Sequence, residues 1–273
     1  MPDEQAFCCN LLPVTRSVSQ EGPAPRDFVD DDATDGRSVD DARVDDSAPA
    51  EVADKPRRKR GRPAIVTAEM IRETALEMGV ATITMTSVAA RLGVNHATLY
   101  RYVSSRDDLV KHALDLALER SEYPAAGNDW REFLYDTAIA TQRMCENHPG
   151  VATELAGGTF SPNMLQRGTE VMVSLVHLGF SPTNAVLALD LVIDLVIDHC
   201  RRTEQMDGRV PSPSMPSREA FATTWPQSDP DAAPEFQDTV QAGREAIDTD
   251  PSQWLDRKLT IALAGIAQEI APR

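Results

Sequence analysis

Apolar residues recur at helical spacing from residue 67 onward, in pieces set off by capping residues, glycine and proline. Thr67 is placed to cap a helix whose apolar face carries Met70, Ile71, Ala75, Leu76 and Met78, and Gly79 interrupts it. Thr84 starts a second helix, with Val88, Ala89 and Leu92 on one face and Gly93 as the stop. Asn95 is a good N-cap for a third, short helix reaching Tyr102. Ser104 or Ser105 caps a fourth, with Asp107 and Asp108 in its first turn, where the helix dipole favours acids. That helix continues through Leu109, Val110, Ala113, Leu114 and Leu116 to about Arg120.

The helical pattern resumes with Trp130, Phe133, Leu134, Ala138 and Ile139 and ends at Asn147-His148-Pro149-Gly150. Pro162 opens another helix that stops at Gly179, and Ser181-Pro182 starts the next, with Ser as cap and Pro at the first position. In this last one, Asp190, Asp194 and Asp198 form one acidic stripe and leave the remaining circumference apolar, so it must be covered on more than one side. The segment after it is dense in Pro, Ser and Asp, and a mobile loop is expected over 206–250. A final helix from Pro251 to Ile270 carries Trp254, Leu255, Leu259, Ile261, Leu263 and Ile266. The expected fold is all-α: a three-helix helix-turn-helix domain with its following helix over 64–120, then a helical domain over 121–273.

Charge divides the chain differently. Residues 1–54 hold 14 acids and 4 bases, a net of −10, with no apolar periodicity; they are expected to be disordered. Residues 55–120 hold 7 acids and 12 bases, a net of +5, six of those bases lying in the arm 55–63. Residues 121–273 hold 22 acids and 11 bases, a net of −11. The total of −16 is unfavourable for a DNA binder, but the positive island coincides with the short helices. The arm is either a solvated charge run or, given its place, a strand that tracks phosphates or the minor groove. The acidic segment, next to it, is a candidate competitor for the same cations.

Other chemistry is scarce. Cys8, Cys9, Cys145 and Cys200 show no CxxC spacing, which fits free thiols in a reducing cytoplasm. No apolar run approaches a membrane span, and no secretory signal is expected. GxSxG, HExxH, P-loop and GxGxxG motifs are lacking, so an enzyme is not expected, nor a cofactor or metal site.

Two short helices around Gly93-Val94, the second capped by Asn95, are the arrangement of a helix-turn-helix. Gly93 tolerates the positive φ of the turn, and Val88, Ala89, Val94 and Leu99 form its small core. The string from Thr84 through Val88-Ala89, Gly93-Val94-Asn95, Thr98-Leu99-Tyr100-Arg101-Tyr102-Val103, Arg106 and Leu109 resembles the DNA-binding domain of the tetracycline-repressor (TetR) family. Gly61-Arg62-Pro63 upstream is also similar to that family, and Pro124 to Gly127, His148-Pro149-Gly150 and Leu178-Gly179-Phe180-Ser181 are similar to the branch containing the tetracycline repressors themselves. The likeness spans roughly residues 57–205. It departs in a shorter connection between the first and second helices, and in Glu154, which stands where tetracycline repressors carry a metal-binding histidine. A magnesium-chelated drug is therefore not the expected ligand.

The resemblance implies a cytoplasmic homodimer that binds double-stranded DNA at a palindromic operator and is released by a small-molecule effector, with repression as the usual mode. The alternative is a DNA-binding regulator without an effector, controlled by a protein partner or by abundance. In the family's geometry the third helix enters the major groove, so Asn95, His96, Ala97 and Thr98 face base edges, and Thr86 reaches the groove wall. Tyr100, Arg101, Tyr102 and Arg106, with Arg57, Arg58, Arg60 and Arg62 of the arm, become phosphate contacts. Tyr100 has a rival reading as a packing residue, and Asn95 as a cap alone. The implied effector lining is Phe133, Met144, Leu155, Phe160, Met164, Met172 and His177, with Leu191; ordinary core packing competes for each. The helix holding the acidic stripe and the last helix would form the dimer interface.

Overall fold

The computed structural model describes residues 66–272 apart from 228 and 230; the acidic segment and the basic arm, with Arg57, Arg58, Arg60 and Arg62, lie outside the described residues. Every regular element among the described residues is a helix. Four make the N-terminal part: α1 (Ala68–Glu77), α2 (Met85–Leu92), α3 (His96–Leu99) and α4 (Arg106–Glu119). Each begins where a short polar side chain takes up an orphan amide. Thr67 accepts from Met70, Asn95 from Ala97 and Ser105 from Asp108, while Thr84 and Ser87 form a reciprocal capping box. Gly93, at φ 68°, ends α2 in the left-handed region, and the Val94 N–H returns to the Ala89 carbonyl at 3.0 Å.

The core of this part is Ile71, Ala75, Val80, Val88, Leu99, Leu109, Val110 and Leu114, all fully enclosed. Met70, expected on the apolar face of α1, points outward instead. Two ion pairs tie the ends of α1 and α4 together, Arg72 to Glu119 at 2.8 Å and Arg120 to Glu73 at 2.9 Å. Both are solvent-facing and add little to what the apolar contacts supply.

The C-terminal part is built around α8 (Pro182–Met206), 25 residues long, against which α5 (Trp130–Asn147), α6 (Val151–Ala156), α7 (Pro162–His177) and α11 (Pro251–Glu269) all pack. That position explains its near-continuous apolar run. The acidic stripe is only partly open to water: Asp190 Oδ1 is buried without a hydrogen-bond partner among the described residues. Burial, then Asp190 and Asp198, hold the Asp194 carboxyl above the usual range.

Two features depart from expectation. Residues 151–156, without an expected element, form α6. Its N-terminus lacks a local side-chain cap, and Glu204 of α8 supplies one from 51 to 54 residues away. The Glu204 carboxylate, 2% exposed, accepts from the Gly150 N–H at 3.0 Å, the Thr153 N–H at 3.1 Å and the Thr153 hydroxyl at 2.6 Å. About half of the segment 206–250, expected as a mobile loop, is instead helical, in α9 (Arg218–Thr224) and α10 (Pro234–Asp248). Ser217 caps the first, Pro234 opens the second, and Val240 and Ile247, one heptad apart, are buried under them. The dense Pro and Ser belong to the starts of these helices and to the turns between them.

Candidate nucleic-acid interface and its link to the C-terminal half

The residues assigned to base reading share one exposed surface. Thr86, Asn95 and Ala97 are open to solvent, with His96 and Thr98 half-buried beside them, and Leu99 anchors the short helix from beneath. Asn95 does cap α3: its Oδ1 accepts the Ala97 N–H at 2.9 Å, leaving the amide NH2 for an outside partner. His96 and Tyr100 meet edge to face with centroids 4.9 Å apart, and Tyr100 remains 52% exposed, so this pairing leaves its hydroxyl free to reach outward.

The expected phosphate contacts divide. Arg101 is exposed, and its guanidinium enters no ion pair or hydrogen bond with a described residue. Tyr102 is exposed as a ring, but its hydroxyl donates to the Val66 carbonyl at 2.7 Å and ties down the entry into α1. Arg106 is spent inside the protein. Its guanidinium donates to the Glu154 carboxylate at 2.5 and 3.3 Å, to the Val80 and Ala81 carbonyls at 3.0 and 3.3 Å, and to the Ile83 carbonyl at 3.3 Å. This corrects the expectation that Arg106 meets phosphate. A cation at the first position of a helix opposes the dipole, and the Glu154 carboxylate offsets it. The bond to Glu154 also raises the guanidinium's affinity for its proton.

Arg72 and Arg120 are likewise paired internally, whereas Arg91, at the end of α2, is exposed and enters no ion pair among the described residues. Sequence reasoning passed over Arg91; its only signal was membership of the positive island.

The contact between Arg106 and Glu154 joins the N-terminal helices to the region of α6. A second contact is steric. Gly150, at φ 96°, lies so close to the α1–α2 connection that a Cβ there would stand 2.7 Å from the Ala81 nitrogen and 2.9 Å from the Ala81 Cβ. The shortened connection between the first two helices is therefore seated directly on the start of α6. Since Glu204 holds the same start of α6 from α8, one six-residue helix is gripped from both halves.

The expected effector-lining residues lie mostly in or against the core. Phe133, Met144 and Leu155 are buried in the core, and Phe160, Met164 and Met172 pack half-buried against it. His177 and Leu191 are corrections: His177 is exposed at the end of α7, and Leu191 is exposed on α8. The polar residues in this core are satisfied within it. Thr137 and Thr141 donate to carbonyls one turn back, and Tyr123 meets the Thr141 hydroxyl at 3.2 Å.

A family model described as "Tetracyclin repressor-like, C-terminal domain" matches residues 123–270. The chain belongs to the TetR family. Among curated relatives, an HTH-type transcriptional regulator of Saccharopolyspora erythraea is 28% identical over 162 residues, 56% of this chain and 67% of that protein. The HTH-type transcriptional repressor DrrR1 of Streptomyces coeruleorubidus is 26% identical over 152 residues, 53% of this chain and 56% of that one, so the match spans little more than half its length. Among solved structures, ActR of Streptomyces coelicolor in complex with actinorhodin gives a TM-score of 0.63 at 22% identity, covering 75% of this chain and 98% of that one. TetR of Acinetobacter baumannii gives 0.53 at 18%, covering 74% and 97%. At those identities the structures speak for the fold alone. The TetR-family chain is thus a helix-turn-helix transcriptional regulator with an all-helical C-terminal domain, and no helix among the described residues is long and apolar enough to cross a membrane.

Proposed function

We propose that the protein is a homodimeric repressor that binds a palindromic operator through α2 and α3 and leaves it when a small molecule occupies the C-terminal domain. Base reading falls to Thr86, Asn95, His96, Ala97 and Thr98. Arg91, Arg101 and Tyr100 take phosphates, together with Arg57, Arg58, Arg60 and Arg62 of the arm. The exposed apolar side chains Val186, Leu187 and Leu191 on α8, and Ile261 on α11, support a second copy as the partner of those helices. The complex with actinorhodin concerns ActR, and it supports a small-molecule effector here only by kinship.

The observation that carries the reading is the double grip on α6. An effector that displaces α6 acts at once on Glu204 and on the Arg106–Glu154 pair, and hence on the seating of the helix-turn-helix. To move a 1:99 equilibrium to 99:1, the effector must prefer the DNA-incompetent state by ~5.5 kcal/mol. A second reading keeps the DNA reader and replaces the effector by a protein partner or by abundance; the burial of Phe133, Met144 and Leu155 in the core supports it. Thermal-shift screening of aromatic and polyketide-like compounds, followed by operator release, separates the two. A compound that both stabilises the protein and releases operator supports the first reading; stabilisation without release, or no stabilisation, supports the second.

A further inference from the structure

The segment between α8 and α11 lines an open cavity of about 400 Å³, bounded by the last turns of α8, by α9 and α10, and by the start of α11. That is within the range of small-molecule sites. Its walls are aromatic and aliphatic, with Phe221, Trp225 and Trp254 as the largest surfaces. Trp225 is deliberately seated. Its indole N–H donates to the Val240 carbonyl at 3.1 Å, so the polar edge is satisfied in the wall, and its ring lies 5.9 Å from that of Phe221. The ring occupies the space a side chain would take at Gly243, where a Cβ would stand 2.1 Å from Trp225 Cζ2. A glycine inside a helix is a local cost, and here it makes room for an aromatic wall.

The charged groups at this cavity are mostly neutralised. Arg202 pairs with Asp198, and Arg218 pairs with Asp207 at 3.0 Å. Lys258 is the exception: its ammonium makes no hydrogen bond or ion pair with a described residue. Burial, then the nearby Arg202, hold its ammonium below the usual range, with Asp198 opposing. His199, beside it, is pushed down to about 4, by burial first and Lys258 second, so at neutral pH it adds no charge. One ammonium without a dedicated acid therefore faces an aromatic cavity.

We propose that this cavity binds a planar aromatic anion, an aryl carboxylate, with its rings among Phe221, Trp225 and Trp254 and its carboxylate on Lys258. The site is separate from the expected effector lining, none of whose residues lines it. It stands whether or not its ligand controls DNA binding.

Isothermal titration of the full-length protein with 2-naphthoate, and with the neutral 2-naphthamide, tests the assignment. Naphthoate is expected to bind at least tenfold more tightly than the amide. Lys258→Met is expected to erase that preference while leaving amide binding and operator binding unchanged. Gly243→Val, which drives Trp225 from its seat, is expected to abolish both isotherms with the helical circular dichroism retained; if that variant fails to fold, Trp225→Ala replaces it. Equal affinity for the two probes, absence of binding by either, or a naphthoate preference that survives Lys258→Met overturns the proposal. A naphthoate isotherm that survives loss of the Trp225 wall does so too, because it places the ligand elsewhere.

Discussion

The two halves of this molecule spend their polar side chains differently. In α1 to α4 most caps are local: Thr67, Thr84, Asn95 and Ser105 each satisfy an amide two or three residues on. Arg91, Arg101 and the outer face of α3 remain available to a partner. In the C-terminal half the decisive polar contact crosses from one helix to another, as when Glu204 of α8 caps α6 from 51 to 54 residues away. The lesson is that a DNA reader advertises itself through short-range pattern, whereas the element that couples it to the second domain is held by contacts no local pattern encodes. Arg101 and Arg106 show this within five residues: one faces solvent, the other joins the halves.

The largest expected effect removes the arm's share of the reader's electrostatics. With three or four phosphates neutralised per subunit, log K should fall against log[salt] with a slope of roughly −5 to −7. Deleting residues 55–62 should flatten that slope by about 2 to 4, if the arm makes one or two such contacts per subunit. Filter binding at several salt concentrations measures it; an unchanged slope discards the arm from the interface.

Next comes the cap on α6. Glu204→Ala leaves two buried amides and a hydroxyl without their acceptor, and should cost about 2 to 3 kcal/mol in urea unfolding. A loss under half a kcal/mol would mean that α6 does not depend on α8.

The contrast between the two arginines is sharper still. Arg101→Ala should reduce the salt slope by about 2 for a dimer, one contact per subunit, with stability unchanged. Arg106→Ala should leave the slope alone. It should instead lower stability by about 1 to 2 kcal/mol, less than a fully buried pair would cost, because the guanidinium is 35% exposed. If Arg106→Ala changes the slope as Arg101→Ala does, the assignment of Arg106 to the domain contact is wrong.

The last effect concerns pH. His199 is held down to about 4 in the folded chain, so the unfolded chain takes up the proton first as pH falls below about 6.5. Stability from this group is full above that value and is lost between pH 6.5 and 4, at about 1 kcal/mol per pH unit. His199→Asn should make the acid side of the stability curve shallower, as read by urea melts at pH 7 and 5; parallel curves for the two proteins would remove His199 from the account.

Much of the fold was legible in the sequence. Six helix starts, at Thr67, Thr84, Asn95, Ser104 or Ser105 (Ser105 in the structure), Pro162 and Ser181-Pro182, follow from cap and first-turn chemistry that acts over two or three residues. The helix α6 was not legible, because its cap and its exit contact both come from distant residues. The helices of 206–250 left a fainter trace that Pro and Ser obscured: Val240 and Ile247 at helical spacing, behind a proline suited to a first turn. Of the proposed DNA surface, only the solvent exposure of the outer face of α3 is on view, and its motif predicted that exposure. The place of Arg106 was not legible, since nothing local distinguishes a cation aimed at phosphate from one answering a carboxylate 48 residues away.

Selection of bound sequences from random double-stranded DNA tests the central claim most directly. The account predicts enrichment of one palindrome, with half-sites about one helical turn apart or somewhat more. Substituting His96 or Thr86 should change the preferred bases, and substituting Arg101 should weaken all sequences alike. No enriched sequence, or an enriched site without two-fold symmetry, would contradict it.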